Sequence, residues 1–319
     1  MACHYTAAPM ASPPPSTPRP PGLDPVAAAR WLRRVPSSSP WLHEWVGQRM
    51  AERLDWIRRQ PRHWVSWSPL LAGEAAHRLV ARRYPQASVW LAGELAAATA
   101  ARWSAGAQPR RRWPWLRAAA TPTAAEPRVA PDGAVPCAVD MVWANMLLHA
   151  APEPRALLMQ WRDWLAVDGF VMLSCLGPDT ARELRALHAA HGWPAPAADY
   201  VDMHDWGDLL VEVGFAEPVM DMERVTLTYP DAERLLADLR QWGRNWHPGR
   251  HPTLRGRGWR QGWLQTVQQK LPRNEQGHLL LTVEVIYGHA WRPADRTADG
   301  VVRVPLQRLR DQLQQRRPG

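Results

Sequence analysis

The chain has 319 residues, of which 46% are hydrophobic, and a formal net charge of +9. This length suits one elaborated α/β domain with a substantial core, which we favour over two small domains. No run reaches the roughly 18 apolar residues of a membrane helix, and residues 1–25 lack the apolar segment of a signal peptide, so we expect a cytoplasmic protein with no membrane anchor.

The cysteines and the basic residues restrict the chemistry further. Cys3, Cys137 and Cys175 show no paired spacing, which predicts a reducing compartment with neither disulfides nor a zinc site. The positive charge is carried almost wholly by arginine, since Lys270 is the only lysine, and the arginines are spread along the chain. This distribution is weak support for nucleic-acid binding and suits any acidic partner.

The amino-terminal half predicts a leader followed by alternating helices and strands. Residues 1–25 are rich in Pro, Ser and Ala and cannot bury enough apolar surface to order themselves, so we expect a disordered leader. The elements expected next are a helix after Pro40 that ends before Pro61, a strand beginning at Val65, a helix over 74–83 and a strand over 87–91. Residues 106–136 have little periodicity and predict a loosely held segment or a surface excursion.

The carboxyl-terminal half has a stronger pattern. In chain order it predicts a strand over 139–146, a helix over 154–165, a strand over 170–176, a helix beginning near Asp179 and Thr180, a short helix ended by Gly214, a strand over 218–227, helices over 231–242 and 259–271, and a strand over 279–287. Strands separated by helices predict a doubly wound α/β sheet, and the tight return at Gly214 indicates an edge hairpin late in the fold.

Five sequence motifs carry a family resemblance. They are Asp140-Met-Val-Trp-Ala-Asn145, Leu165-Ala-Val-Asp-Gly169, Cys175-Leu-Gly-Pro-Asp-Thr180, Val201-Asp-Met-His-Asp-Trp-Gly-Asp208 with Gly214-Phe-Ala-Glu-Pro-Val-Met-Asp-Met-Glu-Arg224, and Val283-Glu-Val-Ile-Tyr-Gly-His-Ala-Trp291. The chain resembles the class I methyltransferases and, among them, the malonyl-[acyl-carrier-protein] O-methyltransferases of biotin synthesis. The resemblance is strong over about 140–293 and faint over about 41–91.

The resemblance implies a seven-stranded, Rossmann-like sheet that binds S-adenosylmethionine at the carboxyl ends of its strands. It also implies methyl transfer to the free carboxylate of a malonyl thioester, in which positioning does most of the catalysis. We expect this domain to cover residues 26–293, with a helical insertion at about 231–272 and a basic tail over 294–319.

The amino-terminal half departs from the family's cofactor motifs. The glycine-rich loop after the first strand falls on Trp67–Gly73, where only the last residue is glycine, although such loops need glycine for close backbone approach. The acidic residue after the second strand is missing, and Glu94 is the nearest carboxylate. No acidic and small pair for the adenine stands between Ala118 and Ala130.

Several residues are candidates for the site, and each has a plainer alternative. Asn145 is the one cofactor position that is kept, but an Asn at the end of a strand is also an ordinary turn former. His204 and Asp205 fall in a loop that the family places beside the active site, yet Asp205 or a neighbour could simply cap a helix. Asp179 and Thr180 present the same choice, and we favour the cap for both loops.

Basic residues supply the candidates for substrate and partner contacts. Arg224 is a candidate for the malonyl carboxylate by its place in the resemblance. The insertion carries Arg244, Arg250, Arg255, Arg257, Arg260 and Lys270. These form either a solvated face or a docking surface for an acidic acyl carrier protein, and a nucleic-acid partner is disfavoured. His247 and His251 lie among prolines and a glycine, which argues against a metal site on a regular helix.

Two functions therefore remain open at the level of sequence. One is an active methyltransferase with rebuilt cofactor contacts, and the other is a non-catalytic descendant that binds a carrier protein or another partner. An open cleft beside Asn145 would favour the enzyme. Trp67 or Leu71 filling that cleft would favour the binding module.

Overall fold

The computed structural model describes residues 22–106, 127–130, 135–253 and 255–294. Its strands are β1 (His63–Trp67), β2 (Ser88–Ala92), β3 (Arg128–Val129), β4 (Val139–Ala144), β5 (Leu165–Leu176), β6 (Ala216–Tyr229) and β7 (Leu279–Trp291). Its helices are α1 (Pro25–Leu32), α2 (Trp41–Arg53), α3 (Pro69–Ala72), α4 (Glu74–Arg83), α5 (Ala96–Gly106), α6 (Pro154–Trp164), α7 (Arg182–Ala190), α8 (Met203–Glu212), α9 (Ala232–Trp242) and α10 (Arg257–Lys270).

The strands form one seven-stranded sheet in the order β3-β2-β1-β4-β5-β7-β6. Strands β1 to β5 pair in parallel, whereas β7 lies antiparallel to both β5 and β6. The winding direction reverses between β1 and β4, and ligands of doubly wound sheets bind outside the carboxyl ends of the strands at such a switch point. The predicted doubly wound sheet is confirmed. The expected hairpin at Gly214 is wrong, because Gly214 lies between α8 and β6, and the antiparallel edge pair β6 and β7 is connected through α9 and α10.

Strand β4 illustrates how the sheet is buried on both faces. Met141 and Trp143 point into the layer that contains α2, α4, α7, α9 and α10. Val142 and Ala144 point into the layer of α6 and α8. This alternation follows the two-residue period of a strand, and burial on both faces explains why the strand reads as a nearly continuous apolar run.

The amino-terminal boundary differs from the expected one. Helix α1 begins at Pro25 and its N-cap is Asp24, whose carboxylate accepts a hydrogen bond from the backbone N–H of Ala27 at 2.9 Å. The expected leader over residues 1–25 therefore overlaps a formed helix end, and its residues 1–21 lie outside the described part of the chain. An Asp followed by a Pro at the first helical position is a helix-start signal that the analysis of the sequence missed.

The start of α7 corrects another expectation. The residue before α7 is Ala181, which has a φ of +58° and provides no side-chain cap. The carboxylate of Asp179 instead forms an ion pair with Arg224 at 2.6 Å, and Thr180 Oγ1 donates to the carbonyl oxygen of Glu284 at 3.1 Å. The prediction that Asp179 or Thr180 caps this helix is wrong, because contacts with β6 and β7 take both side chains.

Some predicted segments include residues that the structure does not describe. These residues are 107–126, 131–134 and the tail from 295. Within residues 106–136 the structure describes β3, a two-residue edge strand. Among the described helices, none has the length and apolar character needed to cross a bilayer.

Candidate cofactor and substrate sites

The loop after β1 forms a short helix where a glycine-rich turn would lie. Ser68 turns the chain with a φ of +45°, and α3 follows at once. Leu70 and Leu71 of this helix are 0% and 2% exposed. The backbone N–H groups of Leu71 and Gly73 donate to carbonyl oxygens one turn earlier, at 3.0 and 2.9 Å. These N–H groups are therefore not available to a ligand.

Glu44 of α2 occupies the N-terminus of α4. Its two carboxylate oxygens accept hydrogen bonds from the backbone N–H groups of Ala75 and Ala76, at 3.0 and 2.9 Å. Ser39 Oγ accepts a third, from the N–H of Glu74 at 3.0 Å. A helix N-terminus attracts anions because its N–H groups are unpaired and its dipole is positive there. The chain thus supplies its own anion at this position.

Asn145 lies at the end of β4 and is fully buried. Its Nδ2 donates to the carbonyl oxygen of His43 at 2.7 Å and also to that of Ala72. Its Oδ1 accepts from Ser174 Oγ at 2.7 Å. Since these partners come from α2, α3 and β5, the Asn145 side chain ties three elements together. Its proposed contact with a cofactor stays a prediction.

A third apolar cluster, here called the edge cluster, covers the carboxyl ends of β1 and β4. Its buried members are Ala28, Trp31, Leu70, Leu71, Ala72, Leu95, Leu147, Ala150, Ala198 and Trp246. The rings of Trp31 and Trp246 lie 5.2 Å apart, and the backbone N–H of Asp24 donates to the carbonyl oxygen of Trp246 at 2.8 Å. Helix α1 and the segment after α9 thereby close over the switch point from opposite ends of the chain.

The residues after β1 and β2 are engaged within the chain as well. Trp67 packs edge-on against Trp161, with ring centroids 5.4 Å apart. Gly93 has a φ of +89°, and a Cβ there would lie 2.2 Å from Ser68 Oγ, so the loops after β1 and β2 touch. Glu94 pairs with Arg33 at 3.3 Å on the surface.

The side chains at this edge do not fit S-adenosylmethionine, the cofactor that the family resemblance implies. The cofactor's amino-acid end needs unpaired backbone N–H groups, but those of α3 and α4 are taken by the chain itself. The volume outside β1 and β4 is filled by Trp31, Leu71 and Trp246.

Two histidines are buried beside the edge cluster in neutral form. Burial lowers the pKa of His43 to about 4 and that of His149 to about 3. His43 Nδ1 donates to the carbonyl oxygen of Leu71 at 2.7 Å, and His149 Nδ1 accepts from the N–H of Leu176 at 3.3 Å. The Nε2 atoms of both rings have no hydrogen-bond partner among the described residues. Each ring is thus held by one hydrogen bond and by the apolar packing around it.

Arg224 forms a network with carboxylates from two other elements. It pairs with Asp179 at 2.6 Å and with Glu284 at 3.7 Å, and Glu284 is buried. Glu284 also accepts from the backbone N–H of Asp179 at 2.7 Å. A Cβ on Gly177 would lie 2.6 Å from the Glu284 carboxylate, so this loop requires glycine. These contacts fix the loop between β5 and α7. The contact of Arg224 with a malonyl carboxylate stays a prediction.

His204 and Asp205 lie in the first turn of α8. The N-cap is Asp202, whose carboxylate accepts from the N–H of His204 at 2.8 Å. The cap is thus Asp202, three residues before Asp205, and the expectation that His204 and Asp205 precede the helix is wrong. His204 is highly exposed, with 82% of its side chain accessible, and its Nδ1 lies 2.8 Å from Asp202. His204 and Arg224 have separate partners, and the roles of His204, Asp205 and Arg224 in substrate binding stay predictions.

A cavity of about 450 Å³ lies between α7 and the insertion that carries α9 and α10, and its lining includes Tyr200, which also packs against the edge cluster. The sequence analysis predicted the helices around it but not the cavity. Apolar residues and arginines occur together in the insertion, and this combination is the sequence pattern that could have indicated the cavity. The sequence analysis assigned the arginines to an exposed face only.

Within the described ranges, no group of three or more His, Cys, Asp or Glu side chains is placed to hold a metal ion. His247 lies 3.2 Å from Asp199, with which it forms a surface pair.

The fold and the position of the switch point define the class of this protein. A seven-stranded sheet of this order with an antiparallel seventh strand is the Rossmann-like fold of the class I methyltransferases. The YcgJ protein from Bacillus subtilis is similar in structure, with a TM-score of 0.48 and 10% sequence identity over 78% of this chain and 99% of that one.

Sequence relatives narrow the class to one family. A malonyl-[acyl-carrier protein] O-methyltransferase from Gallionella capsiferriformans is 34% identical over 259 residues, which cover 79% of this chain and 84% of the relative. The enzyme of the same name from Laribacter hongkongensis is 44% identical over 160 residues, so that match spans 50% of this chain and 52% of the relative. No family model matches the chain. The chain belongs to the malonyl-[acyl-carrier protein] O-methyltransferase family.

Proposed function

We propose that this chain is a non-catalytic member of its family, which does not bind S-adenosylmethionine and acts as a binding module for an acyl carrier protein. The observation that supports this most is the edge cluster, in which the chain's own side chains take the place of a cofactor. Family membership supports the choice of partner, since the relatives are named for their action on malonyl-[acyl-carrier protein].

Opening the cleft would cost about as much free energy as cofactor binding returns. Exposing a large buried apolar side chain costs roughly 1.5–3 kcal/mol. Trp31, Leu70, Leu71 and Trp246 are all buried in the cluster, so their exposure would cost about 6–12 kcal/mol. Binding with a micromolar dissociation constant supplies about 8 kcal/mol. A ligand that must displace these side chains is therefore left with little or no net affinity.

The Glu44 carboxylate adds an electrostatic obstacle. An incoming carboxylate would have to displace it from the N–H groups of Ala75 and Ala76. Hydrogen bonds to a charged group contribute roughly 1.5–3 kcal/mol each, so the intramolecular anion competes at a great advantage.

The test is calorimetric titration of S-adenosylmethionine and S-adenosylhomocysteine into the full chain, with the Gallionella relative as a positive control. We expect heat from the relative and none from this chain up to millimolar ligand. Micromolar binding by this chain would overturn the proposal and favour an active methyltransferase, to be followed by a methyl-transfer assay on malonyl carrier protein.

The basic insertion is the proposed docking surface for the carrier. Arg257 and Lys270 are exposed at the two ends of α10, where they can meet an acidic surface without displacing an internal contact. Such an interface should be weakened by salt, since exposed charges are screened over roughly 10 Å at 0.1 M ionic strength.

Fluorescence anisotropy of a labelled acyl carrier protein tests the docking surface. We expect Arg257→Glu to weaken binding about tenfold and Arg82→Glu, an equal charge change on the exposed side of α4, to weaken it less than twofold. Equal effects of the two substitutions, or binding unaffected by salt, would contradict docking on the insertion.

A further inference from the structure

The cavity between α7 and the insertion has apolar walls. Leu184 of α7, Trp242 of α9 and Trp263 of α10 line it and are buried, while Leu236 and Trp259 line it and are half-buried. Its volume of about 450 Å³ lies within the range of roughly 300–1,000 Å³ that is typical of small-molecule sites. The walls thus offer an apolar ligand a continuous surface.

Two polar side chains in these walls, His188 and Asn245, are already engaged within the chain. His188 Nδ1 donates to the carbonyl oxygen of Pro194 at 2.7 Å, and His188 Nε2 accepts from Trp263 Nε1 at 2.9 Å. Asn245 Nδ2 donates to the carbonyl oxygen of Ala195 at 2.6 Å. An amide-rich ligand would leave its own polar groups unpaired against such walls, which is costly. An alkyl chain has no polar groups and therefore avoids this cost.

The mouth of the cavity is strongly cationic. Five arginines line it, Arg240, Arg244, Arg250, Arg255 and Arg260, and no Asp or Glu stands among the described lining residues.

Two of these arginines are neutralised by partners outside the cavity. Arg250 pairs with Asp24, and Arg260 pairs with Glu233 at 2.5 Å. Arg240 and Arg244 are exposed, and the guanidinium of Arg255 lies 3.8 Å from the ring of Trp259. An anionic head group at the mouth would meet three positive charges that no carboxylate of the lining balances.

We propose that this cavity binds a medium-chain fatty acid, with its carboxylate at Arg240, Arg244 and Arg255 and its alkyl chain between α7, α9 and α10. An arginine fork pairs well with a carboxylate, and each buried methylene should tighten binding roughly fourfold. The inference goes beyond the proposed function, because a free acid requires neither the cofactor nor a carrier protein.

The test is calorimetric titration of the full chain with decanoate, butyrate, decanol and 4′-phosphopantetheine. Decanoate should bind at least a hundredfold more tightly than butyrate, because of its longer chain, and at least tenfold more tightly than decanol, because of its charge. Arg240→Gln combined with Arg244→Gln should weaken decanoate at least tenfold. Arg58→Gln combined with Arg82→Gln, which removes the same charge from exposed positions elsewhere, should change it less than twofold.

A second variant tests the chain-binding walls. Leu236→Trp places a larger side chain at a half-buried wall position and should weaken decanoate at least tenfold while the protein keeps its unfolding midpoint within a few degrees. The proposal is overturned if decanoate gives no heat, if butyrate binds equally well, if neither variant weakens binding, or if 4′-phosphopantetheine binds more tightly than decanoate. Each result is independent of whether S-adenosylmethionine or a carrier protein binds.

Discussion

At the scale of single residues, Asn145 shows how one buried side chain ties several elements together. All of its described hydrogen bonds run to the chain itself, to His43, Ala72 and Ser174. Because the residue is fully buried, each unmade bond would leave a polar group without water. The stability of the folded chain therefore constrains which residue can stand at position 145.

Replacement of Asn145 should destabilise the fold. Asn145→Ala leaves two carbonyl oxygens and a hydroxyl without their partner and should cost about 2–4 kcal/mol. Asn145→Asp should cost at least as much, since a carboxylate would face the carbonyl oxygens of His43 and Ala72. Urea unfolding measures both, with Gln241→Ala at an exposed position as the control. A loss below about 0.5 kcal/mol for both variants would refute the structural role.

At the scale of elements, the close approach of α2 and α4 sets the shape of the sheet edge formed by the carboxyl ends of β1 and β4. A Cβ on Gly47 of α2 would lie 2.3 Å from the Cβ of Ala76 and 3.0 Å from Asn145 Nδ2. Glycine at this point lets α2 lie against α4, which places Glu44 over the first N–H groups of that helix. The occupation of the anion position thus depends on helix packing.

Two glycine substitutions within helices should have opposite effects. Gly47→Ala forces α2 away from α4 and should cost about 1–3 kcal/mol. Gly262→Ala lies in α10, where an added Cβ meets nothing within 4 Å, and should stabilise by up to about 1 kcal/mol through higher helix propensity. Thermal and urea unfolding of the two variants measure the contrast. Equal shifts would mean that the two helices are not packed as described.

At the scale of the whole molecule, buried neutral histidines couple stability to pH. Burial lowers the pKa of His43 to about 4, and burial lowers those of His77 and His149 to about 3. The unfolded chain takes up protons below its ordinary histidine pKa of about 6.5, whereas the folded chain does not. Stability is therefore full above about pH 6.5 and falls as the pH drops toward the folded values.

The protein should be acid-labile between pH 7 and pH 5. Each of the three histidines can contribute up to about 1.4 kcal/mol per pH unit in this window, so we expect a combined loss of roughly 3–6 kcal/mol. Urea midpoints at the two pH values measure it. His149→Phe should reduce the loss by roughly a third, while His204→Gln, at an exposed position, should leave it unchanged. A pH-independent midpoint would contradict the neutral burial of these rings.

The agreement between sequence and structure was best where the signal is local. The helix expected over 74–83 has those limits, and the strand, helix, strand unit from Val139 is present. β5 is longer than expected because it begins at Leu165 and bulges before Phe170. Local periodicity depends on residues a few positions apart. It can therefore be recognised in a single sequence without knowledge of long-range contacts.

The candidate site was predictable only in part. The missing glycine loop and the missing acidic residue were visible in the sequence, and so was Leu71 as a residue that could fill the cleft. The roles of Trp31, Glu44 and Trp246 were not, because each acts through a partner distant in the chain. The cavity behind the insertion was missed for the same reason.

The sequence by itself determined the seven-stranded class of fold and the family, since these depend on patterns and motifs contiguous along the chain. Only the tertiary structure decided which side chains cover the carboxyl ends of β1 and β4. The edge cluster forms because α1 and the segment after α9 bury their tryptophans against each other over the switch point. Burial of apolar surface brings these distant segments together. Because the hydrophobic effect is non-directional, it requires no fixed spacing of residues, and the contact cannot be recognised from a sequence pattern.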